Sequence, residues 1–392
     1  MSMGSAAPED YDAVAVLDHL VRRAVSIGAS DIHLEPKREG VRVRYRIDGV
    51  MTAQGSLPIE LAPALVSRAK VLARMDMTER RLPQDGQFSL DLAGHPPIHL
   101  RASTFPSVHG EKLVLRVLLS QKLITLEKLG LGDGDFERLQ RLADRPSGLI
   151  LVCGPTGSGK TSTLYAMLKV MNTTELSVVT LEDPIEVEMP EITQGQANPR
   201  QGFTFAAGLR AILRQDPDVI LVGEMRDPET AQIALQASLT GHLVLSTLHT
   251  SDAVETVARL IDLGAESWIV ANALLAVVAQ RLVRVLCNEC AEEYPLEEDL
   301  IDEDGLVLIE EGTRLRRAKG CPACHSTGYR GRIGIFEVLE ANDDLRELVK
   351  ARAGKRELRE VVNRMGLSPL RDAGIAKVKA GSTSLEEVMR VT

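Results

Sequence analysis

Gly154-Pro155-Thr156-Gly157-Ser158-Gly159-Lys160-Thr161 follows the apolar run Gly148 to Val152 and precedes a helix-compatible stretch, Ser162 to Val170. The octet satisfies G-x-x-x-x-G-K-[ST] in the strand-to-helix setting that gives this pattern its meaning. Glycines free successive backbone N–H groups to close around phosphate oxygens, Lys160 brings a point charge to the β- and γ-phosphates, and the Thr161 hydroxyl suits Mg2+. A nucleoside triphosphate, ATP in the simplest case, is the expected ligand, with Gly154 through Thr161 and the adjoining Ser162 as its contacts.

Downstream, short apolar runs at Leu149 to Cys153, Ser177 to Leu181, Val219 to Gly223 and Leu243 to Thr247 alternate with helical segments, which predicts a largely parallel sheet covered by helices. Parallel sheets bind ligands beyond the carboxyl ends of their strands, so the residues that end these runs matter. Asp218-Val219-Ile220-Leu221-Val222-Gly223-Glu224 delivers an acid there and reads as a Walker B element, with Glu224 facing Thr161 across a magnesium ion. Thr180-Leu181-Glu182-Asp183-Pro184-Ile185-Glu186 places three further acids at another strand end, where one carboxylate can polarise an attacking water. The alternative for these acids is a solvated turn before Pro184. Ser246-Thr247-Leu248-His249-Thr250 ends the next strand, and His249 there suits a sensor of the γ-phosphate.

Upstream, residues 1–10 are small and polar and are expected to be disordered. Val14, Leu17, Leu20, Val21, Ala24 and Val25 recur at helical spacing and predict a helix over Tyr11 to Ser26. Val41, Val43, Tyr45 and Ile47 alternate with Arg42, Arg44 and Arg46, and Asp48-Gly49 supplies a hairpin turn. The basic face of that strand is either a solvated surface or a phosphate or acidic-partner surface. Helix is expected over Glu60 to Met75, and strands over Gln87 to Leu92, Ile98 to Thr104 and Leu113 to Leu118. The predicted organisation is an α+β domain over 11–118, a glycine-punctuated linker and hinge over 119–145, and a motor domain over 146–286. A cysteine module over 287–336 and a helical region over 337–392 complete it.

Four of the five cysteines form two C-x2-C knuckles, Cys287/Cys290 and Cys321/Cys324. Two such knuckles supply four thiolates around a tetrahedral Zn2+ and leave no coordination position open for catalysis. His325 could substitute as a ligand but reads better as a surface residue, and Cys153 reads as a small buried residue. The formal net charge of −9 and an aromatic content of 3% argue against direct nucleic-acid binding. No apolar run approaches the ~18–20 residues needed to cross a bilayer and no signal-peptide pattern is present, so a cytoplasmic location is expected.

The order of these elements resembles the type II secretion and type IV pilus assembly ATPase family. Ala29-Ser30-Asp31-Ile32-His33-Leu34-Glu35-Pro36, Arg81-Leu82-Pro83-Gln84-Asp85-Gly86 and Gly110-Glu111-Lys112 carry the resemblance in the first half. Gly223-Glu224-Met225-Arg226-Asp227 and Thr327-Gly328-Tyr329-Arg330-Gly331-Arg332 carry it in the second.

The resemblance implies an α/β fold: a RecA-like P-loop motor with an N-terminal PAS-like α+β domain, a tetracysteine zinc module and a C-terminal helical region. It also implies a homo-hexamer at the cytoplasmic face of the inner membrane, peripheral to secretion or pilus platform proteins. ATP hydrolysis there would power pseudopilus assembly and protein export, or alternatively type IV pilus extension. The resemblance puts the general base on Glu186, with Glu182 as the neighbouring alternative, and a magnesium-associated acid on Glu224. Arg101 and Arg116 correspond to phosphate-reaching arginines, and Arg210 and Arg214 to an interfacial pair. Members of the family commonly carry a further N-terminal docking domain, whereas this chain begins almost directly at its α+β domain. A nucleic-acid-translocating RecA-like motor is the rival from another class, with polynucleotide-stimulated hydrolysis as its signature. A nucleotide-dependent scaffold with little turnover is the third reading.

Overall fold

The structure, a computed structural model, describes residues 12–92, 96–118, 123–301 and 305–392. The expected disordered start, Tyr11 and the first residues of the expected linker, 119–122, lie outside these. The chain divides into two compact units, Met1–Gln121 and Lys122–Thr392.

The first unit is built from α1 (Ala13–Ser26), β1 (Ala29–Lys37), β2 (Gly40–Ile47), β3 (Val50–Leu57), α2 (Leu61–Leu72), β4 (Gln84–Leu90), β5 (Ile98–Ser107) and β6 (Gly110–Leu118). Its antiparallel sheet has the order β3-β2-β1-β6-β5-β4. Asp48 and Gly49 both take positive φ, 47° and 83°, which is the backbone a tight β2–β3 hairpin needs. Leu17, Leu20, Val21 and Ala24 of α1 pack with Leu65, Val66 and Ala69 of α2 onto Ile32, Leu34, Val43, Tyr45, Leu100 and Leu115. Period-2 alternation sends the other side chains to the opposite face. There the basic stripe of β2 is neutralised within the sheet. Arg42, Arg44 and Lys112 pair with Glu35 at 2.9, 2.6 and 3.0 Å, and Arg116 pairs with Asp31 at 3.0 Å. Burial pushes the Glu35 carboxyl up, but hydrogen bonds from Arg44, Lys112 and Arg42 outweigh it and hold the pKa at about 2.

The second unit begins with α3 (Asp133–Ala143), β7 (Gly148–Cys153), α4 (Lys160–Val170), β8 (Val178–Glu182), β9 (Thr193–Gln196), α5 (Phe205–Ile212), β10 (Val219–Val222), α6 (Pro228–Leu239) and β11 (Leu243–Leu248). It continues through α7 (Ala253–Asp262), α8 (Ser267–Ala273), β12 (Leu274–Leu286), β13 (Glu292–Pro295), β14 (Leu300–Ile301), β15 (Val307–Ile309) and β16 (Arg314–Arg317). β17 (Tyr329–Glu340), α9 (Asp343–Lys350), α10 (Lys355–Arg364), α11 (Leu370–Lys379) and α12 (Leu385–Val391) complete it. The sheet order is β17-β12-β7-β11-β10-β8-β9, parallel throughout except for the antiparallel edge strand β17. Every residue of β7, β8, β10 and β11 is buried, as expected of strands covered on both faces.

Two expected boundaries are corrected. The segment expected as a hinge over 119–145 is, from residue 123 onward, part of the motor. Leu126, Leu129, Leu139, Leu142 and Ala143 bury in the same core as Ile150, Val152, Leu164 and Val278. The burial of these residues outweighs the glycines: Gly130 and Gly132 shape the turn before α3, and Gly134 lies in its first turn. The boundary at 336/337 falls inside β17, whose pairing with β12 runs from Leu286↔Tyr329 to Ala276↔Glu340. A strand with so long a partner belongs to the motor sheet, and the cysteine module is the excursion between β12 and β17.

Candidate active site

Strand order decides what meets at the carboxyl edge of the second sheet. β11 lies between β7 and β10, with Leu248 opposite Cys153 and Ser246 opposite Val222. His249, leaving β11, therefore stands between the phosphate loop leaving β7 and Glu224 leaving β10. Its Nδ1 is 3.4 Å from Lys160 Nζ and its Nε2 3.3 Å from Glu224 Oε2. Glu224 is also paired with Arg226 at 2.6 Å.

The phosphate loop is shaped for an anion. Gly157 and Gly159 take φ of 80° and 89°, and a Cβ on Gly159 would sit 2.8 Å from Gln280 Nε2, so the turn requires glycine there. Pro155, Thr156 and Gly157 are exposed while Ser158 and Lys160 are buried. Ser158 Oγ is a buried hydroxyl without a hydrogen-bond partner, and Gly159, the N-cap of α4, brings no side chain to the first-turn amides. Unpaired donors of this kind fit phosphate oxygens. Lys160 Nζ donates to the carbonyls of Gly154 and Pro155 at 2.8 and 3.0 Å, and burial lowers its pKa.

The two acids expected as alternatives for the base are separated by their surroundings. Glu182, at the end of β8, is buried and committed: Thr180 Oγ1 donates to Oε1 at 2.6 Å, Gln194 Nε2 to Oε1 at 3.2 Å, and the Tyr165 hydroxyl to Oε2. Glu186 lies four residues on and is exposed. Three donors from separate elements meet at this carboxylate, so Glu182 ties β8, α4 and β9 together.

Arg101 and Arg116 stand opposite one another in the β5–β6 register of the first unit. Arg210 pairs with Glu229, and Arg214 donates to the Arg210 carbonyl at 2.8 Å, both arginines being exposed on the motor. Thr161 and Ser162 occupy the first turn of α4. Cys153 is buried, its thiol pushed up to about 11 chiefly by burial, which suits packing and not reactivity.

Sequence reading missed Gln280 and Arg281. Gln280 is buried, accepts from Thr163 Oγ1 at 2.7 Å and backs the phosphate loop, while Arg281 donates to the Ser251 carbonyl at 2.8 Å beyond His249. The available signal was a polar pair interrupting the apolar run Leu274 to Val283.

Matching these motifs in this arrangement, the protein family described as Type II/IV secretion system protein covers residues 7–390. The chain belongs to that family. Among its members, this secretion-system chain is 47% identical over 388 residues to type II secretion system ATPase E of Vibrio cholerae, covering 98% of this chain and 76% of that protein. It is 43% identical over 375 residues to type IV pilus assembly ATPase PilB of Thermus thermophilus, covering 95% of this chain and 42% of that protein. A crystal structure of the pilus retraction motor PilT with bound ADP is similar at a TM-score of 0.64 and 28% identity, over 96% of each chain. The motor unit is RecA-like.

The cysteines of this secretion-system chain converge as expected. Cys287, Cys290, Cys321 and Cys324 bring their sulfurs within 4.8 Å of one another. Separations of 3.9, 3.8 and 3.7 Å match the ~3.8 Å edge of a tetrahedron with Zn–S bonds of ~2.3 Å. Backbone N–H groups of Gly320, Cys321 and Gly328 donate to the sulfurs of Cys290 and Cys324 at 3.1 to 3.3 Å, the outer support a thiolate site needs. The β12–β17 ribbon is the stem that brings the knuckles together, with Cys287 N–H donating to the Gly328 carbonyl at 2.9 Å. His325 lies outside the cluster.

Proposed function

We propose that this chain is the ATP-hydrolysing motor subunit of a type II secretion machine, acting as a hexamer at the cytoplasmic face of the inner membrane to power pseudopilus assembly and protein export. The observation that supports it is the meeting of Lys160, His249 and Glu224 at one sheet edge in a chain 47% identical to an ATPase E. Among the described residues no helix is long and apolar enough to cross a membrane, so contact with the platform is assigned to partner proteins.

Bound Mg-ATP supplies the phosphoryl group and the divalent charge that neutralises it. Residues 154–162 cradle the phosphates, and Thr161 and Glu224 hold magnesium. Glu186, exposed beyond β8, accepts the proton of the attacking water, while Glu182 keeps its structural role. His249 couples the lysine to the Walker B acid across ~3.4 Å, a geometry that senses charge on either side. Arg101 and Arg116 are assigned to phosphate charge in the assembled ring, and Arg210 and Arg214 to its subunit interface. Cys287, Cys290, Cys321 and Cys324 hold a structural Zn2+.

Glu186→Gln should retain ATP binding and lose ~10²–10⁴-fold in turnover, the range for removing a general base. Full activity of this variant together with an inactive Glu182→Gln would move the base to Glu182. ATP-bound Glu186→Gln, immobilised and exposed to solubilised inner membranes of its host, should capture secretion-platform proteins identifiable by mass spectrometry. Capture of pilus-platform proteins would replace this reading with pilus extension, the activity in the name of the PilB relative.

A further inference from the structure

His249 leaves β11 only three residues before the N-cap of α7, so whatever fixes the start of α7 also fixes the imidazole. Two groups from outside the nucleotide-facing edge do this. Glu337, on β17, is buried, and its Oε1 accepts from the Ala253 N–H, the first residue of α7, at 3.0 Å. Burial raises the pKa of this carboxyl, the Ala253 N–H opposes that rise and the neighbouring Asp252 charge adds to it. One side chain therefore ties the N-terminus of α7 to the edge strand β17, from which the chain runs on into the C-terminal helices. Asp252, the N-cap of α7, accepts from Glu255 N–H at 2.7 Å through Oδ1 and is paired at 2.8 Å with Arg359 of α10 through Oδ2. The Asp252 carbonyl also receives the Cys153 thiol at 3.6 Å, which links the loop back to the strand that feeds the phosphate loop.

We propose that Glu337 and Arg359 are positioning residues for ATP hydrolysis, strapping the His249 loop to strand β17 and helix α10 so that the imidazole stays between Lys160 and Glu224. The inference rests on the role proposed above for His249. Its physical basis is that a carboxylate accepting at the N-terminus of α7 is favoured by the helix dipole, a gain that a neutral amide in its place gives up. Displacement of β17 or α10 would therefore reach the catalytic edge through contacts of hydrogen-bond length. A partner that grips the C-terminal helices would gain a lever on hydrolysis that never touches nucleotide.

The test is steady-state ATP hydrolysis by the full chain carrying Glu337→Gln, Arg359→Gln, Arg359→Lys or His249→Ala, with thermal unfolding measured in parallel. Glu337→Gln and Arg359→Gln should lower kcat ~5-fold or more and leave KM for ATP within ~2-fold, the signature of a lost transition-state contact. Arg359→Lys should recover most of the rate. Adding Glu337→Gln to His249→Ala should lower the rate no further, because the strap acts through the imidazole. Arg359, with its side chain 59% exposed, keeps the test decisive should Glu337→Gln fail to fold. Unchanged kcat in Arg359→Gln, a change confined to KM, or additive losses in the double variant would each overturn the strap while leaving His249 its role. A His249→Ala protein that turns over at the wild-type rate would remove that role and the strap with it.

Discussion

The two sheets of this chain solve the burial problem differently, and the difference decides where chemistry can sit. The first unit covers one face of an antiparallel sheet with α1 and α2 and leaves the other to ion pairs among Arg42, Arg44, Lys112 and Glu35. The second covers both faces of a parallel sheet, so the residues of β7, β10 and β11 are buried along their whole length and the exposed polar groups follow the strand ends. A sheet buried on both faces can place reactive groups only at its edges. The phosphate loop, His249, Glu224 and Glu186 all follow the carboxyl ends of such strands.

The largest contrast should appear in the cores. Leu151 on β7 and Leu100 on β5 are both fully buried, but Leu151 belongs to a sheet covered on both faces and Leu100 to one with core clustered on a single face. Truncating a buried leucine to alanine costs ~2–5 kcal/mol depending on how far the site can collapse. Leu151→Ala should fall at the upper end of that range and Leu100→Ala at the lower, measured by denaturant unfolding of each variant. Equal losses would mean that the open face of the first sheet gives no room to relax.

A smaller effect separates the two strongly held carboxylates. Glu387 of α12 is 0% exposed at its side chain, with Arg284 at 2.8 Å and Arg390 at 2.6 Å. Burial pushes its carboxyl up, but the hydrogen bonds from Arg390 and Arg284 prevail and hold the pKa at about 2, against an ordinary 4.5. The folded-state pKa is depressed, so the stabilisation is complete above pH 4.5 and is lost as pH falls from there towards 2. For Glu387 it amounts to about 3 kcal/mol. Glu35 is held equally low, but its arginine partners are 48% and 29% exposed against 48% and 17% for those of Glu387, so solvent screens them more. Glu387→Gln should therefore flatten the acid limb of a thermal-unfolding titration more than Glu35→Gln. The reverse order would place the stronger pair on the open face. Smallest of all, Arg42→Ala should change stability by less than ~0.5 kcal/mol, as exposed ion pairs do. A larger loss by thermal unfolding would show that the paired face of the first sheet holds its fold together.

Much of the motor was legible because strong local rules coincide there. Gly154 to Thr161 has one common use, and the apolar runs around Ile150, Ile220 and Leu245 are too uniform for anything but covered strands. The Asp48-Gly49 turn was equally plain, since both residues tolerate the positive φ they adopt. β1 and β3 were less so: β3 carries Thr52, Gln54 and Ser56 on a largely exposed edge, which weakens its alternation. The expected hinge failed because glycine spacing was weighed above the leucines of 126–142, whose burial needs a partner that sequence does not display.

The sequence by itself determined the nucleotide-binding motif, the two cysteine pairs and the strand-end residues, because each depends on residue type at short spacing. Only the tertiary structure decided their neighbours. Along the chain the motifs run phosphate loop, acid box, Walker B, histidine; across the sheet the order β7-β11-β10-β8 puts the histidine second. That reordering brings His249 between Lys160 and Glu224, commits Glu182 to Tyr165, Thr180 and Gln194, and carries Glu337 from 84 residues away to the start of α7. Contacts of this kind depend on which strands lie side by side, and strand adjacency is set by global packing of both sheet faces, a property no local stretch of the chain contains.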